Sequence, residues 1–404
     1  MQANNQEAFF ALVRAGLFPV HGEGGMVLER AKRPIRAHDF SNVDWGEVYR
    51  LAEEQSVVGL VAAGIDAVQG EWFKVNGSPL VPQEWALQFI GATLQIEQRN
   101  KAMNEIVAKL ISLLRKNDIY AILVKGQGIA QCYEKPLWRA SGDVDLLLSD
   151  TNYEKAKKLL TPLATEVETE FTHFKHLGMT IDGWEVELHG TLHSRLSRRV
   201  DNMIDSVQGN VFYGGEVRSW QNGKTQVFLP SPDNDVIFVF THILHHFFFE
   251  GIGLRQICDW CRLLFCYYEK LDIRLLETRI RKAGLMTEWK VFASFAMAYL
   301  GMPVEAMPLY DADERWKRKA DGICKFVMEV GNFGHNKQVL GRAKRQSRAN
   351  GEGVKVHGYF WRKFNSFWGR LSDMLRHFKL FPKDSIVFFG GVLRSGLHAA
   401  VRGE

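Results

Sequence analysis

Asp143 and Asp145 stand one residue apart in GDVDLLLS (142–149), an apolar run in which carboxylates are out of place. Alternate side chains of a strand share a face, so the two aspartates point one way while Val144, Leu146 and Leu148 point into a core. Carboxylates about 7 Å apart along a strand can converge on divalent cations. A further acidic group lies in WEVELH (184–189), where Val186 and Leu188 take the core side and Glu185, Glu187 and His189 share the other. If this strand neighbours the first, either Glu185 or Glu187 completes a three-carboxylate site. Upstream, ILVKGQGIA (122–130) sets Lys125 before Gly126-Gln127-Gly128. Glycines let backbone N–H groups approach phosphates, and a helix starting there adds its positive end. Lys125, just before this turn, could reach a phosphate. Taken singly, these pieces also read as a strand end, a solvated lysine and an edge strand.

The elements that position these residues follow from periodicity. The first hundred-odd residues read as helices. In VDWGEVYRLAEEQSVVGLVAAGIDAV (43–68) apolar residues recur at three and four, with Asp44 or Asn42 as the cap. Pro82 opens a longer helix to about residue 117, with Ile106, Val107, Leu110, Leu113 and Leu114 on one stripe. At Asp118 the period changes. IYAILVKG is a strand feeding a turn and GDVDLLLS a second strand. Ser149 or Asp150 then caps a helix that turns Tyr153, Ala156, Leu159, Leu160 and Leu163 inward. Residues 166–189 read as strands joined at Asp182-Gly183. From Pro232 helices return. The expected architecture is α+β: an N-terminal helical region (1–117), a small mixed-sheet core (118–231), a helical domain (232–339), and a basic linker with a helical tail (340–404).

The bulk properties leave the function open but remove some classes. Residues 313–404 hold 19 Lys and Arg against 8 Asp and Glu, about +11 net. That basic end is a candidate surface for an anionic partner, although solvated helix faces give the same count. Residues 359–381 read as a basic amphipathic helix, more simply packed on its own domain than laid on a membrane. Five cysteines in a chain of 404 residues imply no disulfide framework. No run of about 18 apolar residues offers a membrane span, and no signal peptide is apparent, so a cytoplasmic location is expected.

Glycine turn, Asp-x-Asp strand and later acidic strand together resemble the polymerase-beta-type nucleotidyltransferase superfamily. The closer resemblance is to a bacterial family of uncharacterised nucleotidyltransferases, the family 5 group. It is carried by ILVKGQGIA, by RASGDVDLLL (139–148), by VELH (186–189) and by HILHHFFFEGIGLRQICDWCRLL (242–264), and spans about residues 40–270. The lysine-glycine turn and the arginine before Asp-x-Asp are also similar to nucleotidyltransferase toxins of the abortive-infection type. The resemblance implies a transferase that moves an NMP from an NTP to a hydroxyl acceptor with release of pyrophosphate. It implies two Mg²⁺ ions, with Mn²⁺ as a substitute, held by Asp143, Asp145 and Glu187; Glu187 would also take the acceptor's proton. Lys125, Gly126, Gln127, Gly128, Arg139 and Arg255 would bind the NTP phosphates. The usual glycine-serine pair is replaced by Gly126-Gln127-Gly128, which leaves a cradle made by backbone alone.

Small molecules, protein side chains and RNA ends are all open as acceptor. Two other classes fit some of the residues. Metal-dependent glycosyltransferases also use Asp-x-Asp, but need a nucleotide-binding α/β half before it, where this chain reads as helical. A catalytically silent nucleotide-binding protein of the same fold would have little reason to keep all the carboxylates. His242, His245, His246, Cys258 and Cys261 fall in apolar helices without a zinc-knuckle frame and read as core. Arg255 and Asp259 are four apart on one helix and could pair with each other. His189 reads as a partner of the carboxylates.

Overall fold

The computed structural model describes residues 2–18, 40, 42–68, 81–170, 175–331, 377–383 and 385–387. The basic linker and most of the amphipathic tail expected over 359–381 lie outside the described residues. Of that tail, Phe381 is buried, its ring 5.8 Å from that of Phe247.

Four helices come first: α1 (Gln2–Leu17), α2 (Trp45–Glu54), α3 (Val58–Val68) and α4 (Gln83–Lys116). Asp44 caps α2 as expected, accepting from the amides of Gly46 and Glu47. The single helical stretch read over 43–68 is two helices, because the chain turns at Ser56, which has φ 55°. The α/β part follows as β1 (Ala121–Val124), α5 (Gly126–Ala130), β2 (Val144–Leu148), α6 (Asp150–Leu160), β3 (Glu166–Val167), β4 (His176–Ile181) and β5 (Trp184–His189). Then come α7 (Arg198–Tyr213), the hairpin β6 (Val217–Asn222) and β7 (Thr225–Pro230), and the helices α8 (Pro232–Phe249), α9 (Leu254–Tyr267), α10 (Ile273–Ala283), α11 (Met286–Tyr299) and α12 (Glu314–Val330).

The seven strands form one mixed sheet in the order β3-β4-β5-β2-β1-β7-β6. Asp182 and Gly183 both have positive φ, the two-residue turn that suits a β4–β5 hairpin. The parallel contacts are β2 with β5 and β1 with β7. One sheet face, with Leu123, Val144, Leu146, Leu148, Val186 and Leu188, packs on the α4 stripe and on Tyr153, Ala156 and Leu160 of α6. Leu163, expected inward, is 50% exposed because the helix ends at Leu160. The other face carries Ile122, Val124 and Leu147 into a larger core built by helices from both ends of the chain. Both sheet faces are therefore covered over much of their area, and on the second face Asp145 and His189 are buried.

The loop between α5 and β2 is clamped by α3. A Cβ at Gly59 would lie 2.0 Å from the backbone oxygen of Trp138, one residue before Arg139. Alanine is otherwise the better helix former by about 1 kcal/mol. Gly59→Ala should nonetheless lower stability by about 1–3 kcal/mol, the usual cost of overpacking. Urea denaturation checks this: a more stable variant would show that the close approach does not constrain the loop.

Candidate active site

Parallel pairing puts Asp145 of β2 directly beside Glu187 of β5. Asp143, just before β2, is the third member: single oxygens of Asp143, Asp145 and Glu187 all lie within 4.8 Å of one another. Glu185 is not in that group. Asp145 is only 2% exposed, although it lies on the face opposite Val144 and Leu146. The α8–α9 side of the sheet is roofed, and Leu147 on the same face enters the core.

A buried carboxylate needs compensating charge. Asp145 Oδ1 accepts from Lys125 Nζ at 2.8 Å and lies 2.8 Å from His189 Nε2. Lys125 reaches it from the end of β1, in the strained conformation φ 56°, ψ −147°. Burial alone would lower the Lys125 pKa, but attraction to Asp145, Glu187 and Asp143 raises it. The crowding shows most in Asp143, whose carboxyl is pushed up to about 6 by the Asp145 charge and then by burial, against the pull of Lys125. Glu187 goes the other way. Burial would raise it, but hydrogen bonds from His176 and His189 hold it well below the ordinary carboxylate range. His189 is buried, which disfavours its charge, yet its bonds to Asp145 and Glu187 raise its pKa.

The glycine turn is only partly as expected. Gly126, with φ +39°, lines the cleft. Gln127 turns away, donating to Asn100 Oδ1 of α4 at 2.9 Å, so its side chain does not face the carboxylates. A Cβ at Gly128 would come 2.8 Å from Leu229 Cδ2 of β7, so close packing accounts for that glycine. Arg139 is buried in a two-point ion pair with Asp259, at 2.8 and 2.6 Å. Asp259 also accepts from Tyr133 at 2.8 Å. The Arg255–Asp259 pair that the helical spacing allows is not formed, since Arg139 arrives from another segment and takes the carboxylate. Arg255 instead donates to the carbonyl of Ala140 at 2.9 Å and lines the cleft.

The cleft has a volume of about 480 Å³. Its far wall holds residues read from the sequence as core. His242, His245 and His246 of α8 line it, while Ile243 and Leu244 between them are buried. His246 lies between His242 at 3.0 Å and Glu250 at 2.8 Å, and His245 faces the Ser194 carbonyl at 2.7 Å. The three-and-four spacing of HILHH was the available signal, hidden by its apolar neighbours. Cys258 and Cys261 are buried in the core as expected. Across Arg139, Ala140 and Arg255 lies a second cavity of about 280 Å³ with more apolar walls, among them Leu60 and Trp138.

A carboxyl whose pKa is raised by folding contributes stability at pH below its unfolded value, and that stability is lost as pH rises through the folded value. For Asp143 that loss runs from the ordinary 3.8 up to about 6. In chelator-treated protein, Asp143→Asn should therefore raise Tm above about pH 7, by about 2–4 °C for each kcal/mol relieved, and change it little near pH 4. Thermal melts across pH test this, and an equal effect at both ends would refute the crowding.

Among the described residues no helix is long and apolar enough to cross a membrane. No curated protein and no solved structure matches the chain. The model of one protein family, described as uncharacterised nucleotidyltransferase, matches residues 41–301, which include the whole sheet, the three carboxylates and the helices that roof them. The chain belongs to this uncharacterised nucleotidyltransferase family.

Proposed function

We propose that the chain moves a nucleotidyl group from an NTP to a hydroxyl acceptor with release of pyrophosphate, at Asp143, Asp145 and Glu187. The observation that carries this reading is the convergence of three carboxylates from β2 and β5 beside Lys125. An all-oxygen donor set suits Mg²⁺, with Mn²⁺ as a substitute. The raised Asp143 carboxyl is what a site short of positive charge would show. Bound there, divalent ions would supply Lewis acidity at the phosphate and a more acidic acceptor hydroxyl.

The chain's own groups divide the rest. Lys125 holds Asp145 in place and lies beside Gly126, where it is a cation for the phosphates. Arg255 lines the cleft and has no ion-pair partner among the described residues, which makes it the better phosphate ligand of the two arginines. Arg139, matched by Asp259, fixes the loop that leads to Asp143. Glu187, held ionised by His176 and His189, is suited to ligating a cation and poorly suited to accepting a proton. In this reading residues 118–231 are the catalytic unit, and α8 and α9 of the helical domain wall its cleft. A small molecule, a protein side chain and an RNA end all remain as acceptor classes.

Asp145→Asn should reduce Mg²⁺-dependent pyrophosphate release from NTPs by more than about 100-fold, the upper range for residues outside a metal's direct ligands. It should also abolish transfer of label from α-phosphate-labelled NTPs into protein, RNA and small-molecule fractions of a cell extract. Full turnover by that variant would refute the reading. Arg255→Ala should raise KM for the NTP about tenfold, as expected for loss of one charged hydrogen bond. A change in kcat alone would take Arg255 out of the phosphate site.

A further inference from the structure

Among the described residues, the carboxylates are one of two ligand groups on this sheet face. The second is His176, Glu187 and His189, whose donor atoms also lie within 4.8 Å of one another. We propose that these three residues form a separate cation site that takes a zinc-class transition ion.

The strand geometry builds it. His176 of β4 is directly opposite His189 of β5, and Glu187 stands two residues before His189 on the same face. The two imidazole rings lie 4.9 Å apart, centre to centre. Each Nε2 is 3.2 Å from the same oxygen, Glu187 Oε2. A tetrahedral ion with bonds of about 2.0–2.2 Å holds its ligands about 3.3–3.5 Å apart, so little movement is needed to bridge these donors.

The donor set decides the kind of ion. Two imidazoles and one carboxylate suit zinc and its neighbours, whereas Mg²⁺ prefers oxygen throughout. The site is reachable, with His176 and Glu187 side chains 24% and 31% exposed to the cleft. Three protein ligands leave a fourth position for water, a substrate oxygen or the nearby Asp145 carboxylate. Glu187 belongs to both groups, so an ion here draws on a ligand of the carboxylate site. The inference does not depend on the transfer reaction, and its test contains no NTP.

The test is metal binding by the full chain after metal depletion. Zinc is titrated in competition with a chromophoric chelator, and Co²⁺ serves as the spectroscopic stand-in. Wild type should hold one equivalent of zinc and give the visible absorption of tetrahedral cobalt. His176→Ala, or His176→Gln if circular dichroism shows that the alanine variant misfolds, should weaken zinc at least about tenfold and lose the cobalt bands. His189→Gln should do the same, while Asp143→Asn and His242→Ala keep both signals. Four results would overturn the proposal: no stoichiometric zinc, unchanged binding in the His176 variants, loss in Asp143→Asn or His242→Ala, or thiolate charge-transfer bands placing the ion on cysteines.

Discussion

Three carboxylates with oxygens within 4.8 Å of one another cannot share a mostly covered sheet face unless positive charge is brought to them. The surrounding structure is organised around that demand. Lys125 comes from β1 on one side of β2, and His189 from β5 on the other, and both meet the same oxygen of Asp145. His176 adds a third basic group from β4, through Glu187. Four adjacent strands thus each contribute to one charge cluster, so that its geometry is set by strand pairing more than by loops. The positive φ of Lys125 belongs to the same demand, since the turn occurs where the chain must leave the sheet and still aim an ammonium back at Asp145.

A second ion pair fixes the approach to the cluster. Arg139 and Asp259 are both buried, which costs desolvation that only a two-point pair with further hydrogen bonds offsets well. Here Tyr133 and Ser141 supply those bonds. The pair joins the loop before Asp143 to α9, while Gly59 of α3 presses on the same loop from the far side. The strand that carries Asp145 is therefore held by helices that precede the sheet in sequence and helices that follow it, and both belong to one hydrophobic core. The family match, residues 41–301, likewise covers helices on both sides of the sheet in sequence.

The sequence made the site legible where the chemistry follows the strand period. Asp143, Asp145 and Glu187 could be placed on one face because alternate residues point alike, and their neighbours Val144, Leu146, Val186 and Leu188 do form the opposite core. What escaped is what depends on contacts between distant segments. The burial of Asp145 required knowing that α8 and α9 roof the sheet. Arg255 and Asp259 have good spacing for a helical pair, yet Arg139, 120 residues away, offers Asp259 a two-point bond. Gln127 looked like part of a phosphate turn, but its period points it at α4, where Asn100 waits. The β6–β7 hairpin carries too little alternation to reveal that β7 inserts beside β1.

His176 shows the same limit most sharply, and its position changes what the cleft is. In sequence it is one histidine before a short apolar strand, thirteen residues from His189 with a turn between them. Only the β4–β5 register sets the two rings side by side next to Glu187. The consequence is a carboxylate with two competing environments: oxygen neighbours that would share a hard ion, and nitrogen neighbours that hold it ionised or share a softer one. A glutamate so placed loses basicity and gains coordinating power. In the transfer reaction proposed above, Glu187 would then serve as a ligand, and the acceptor's proton would pass to another group.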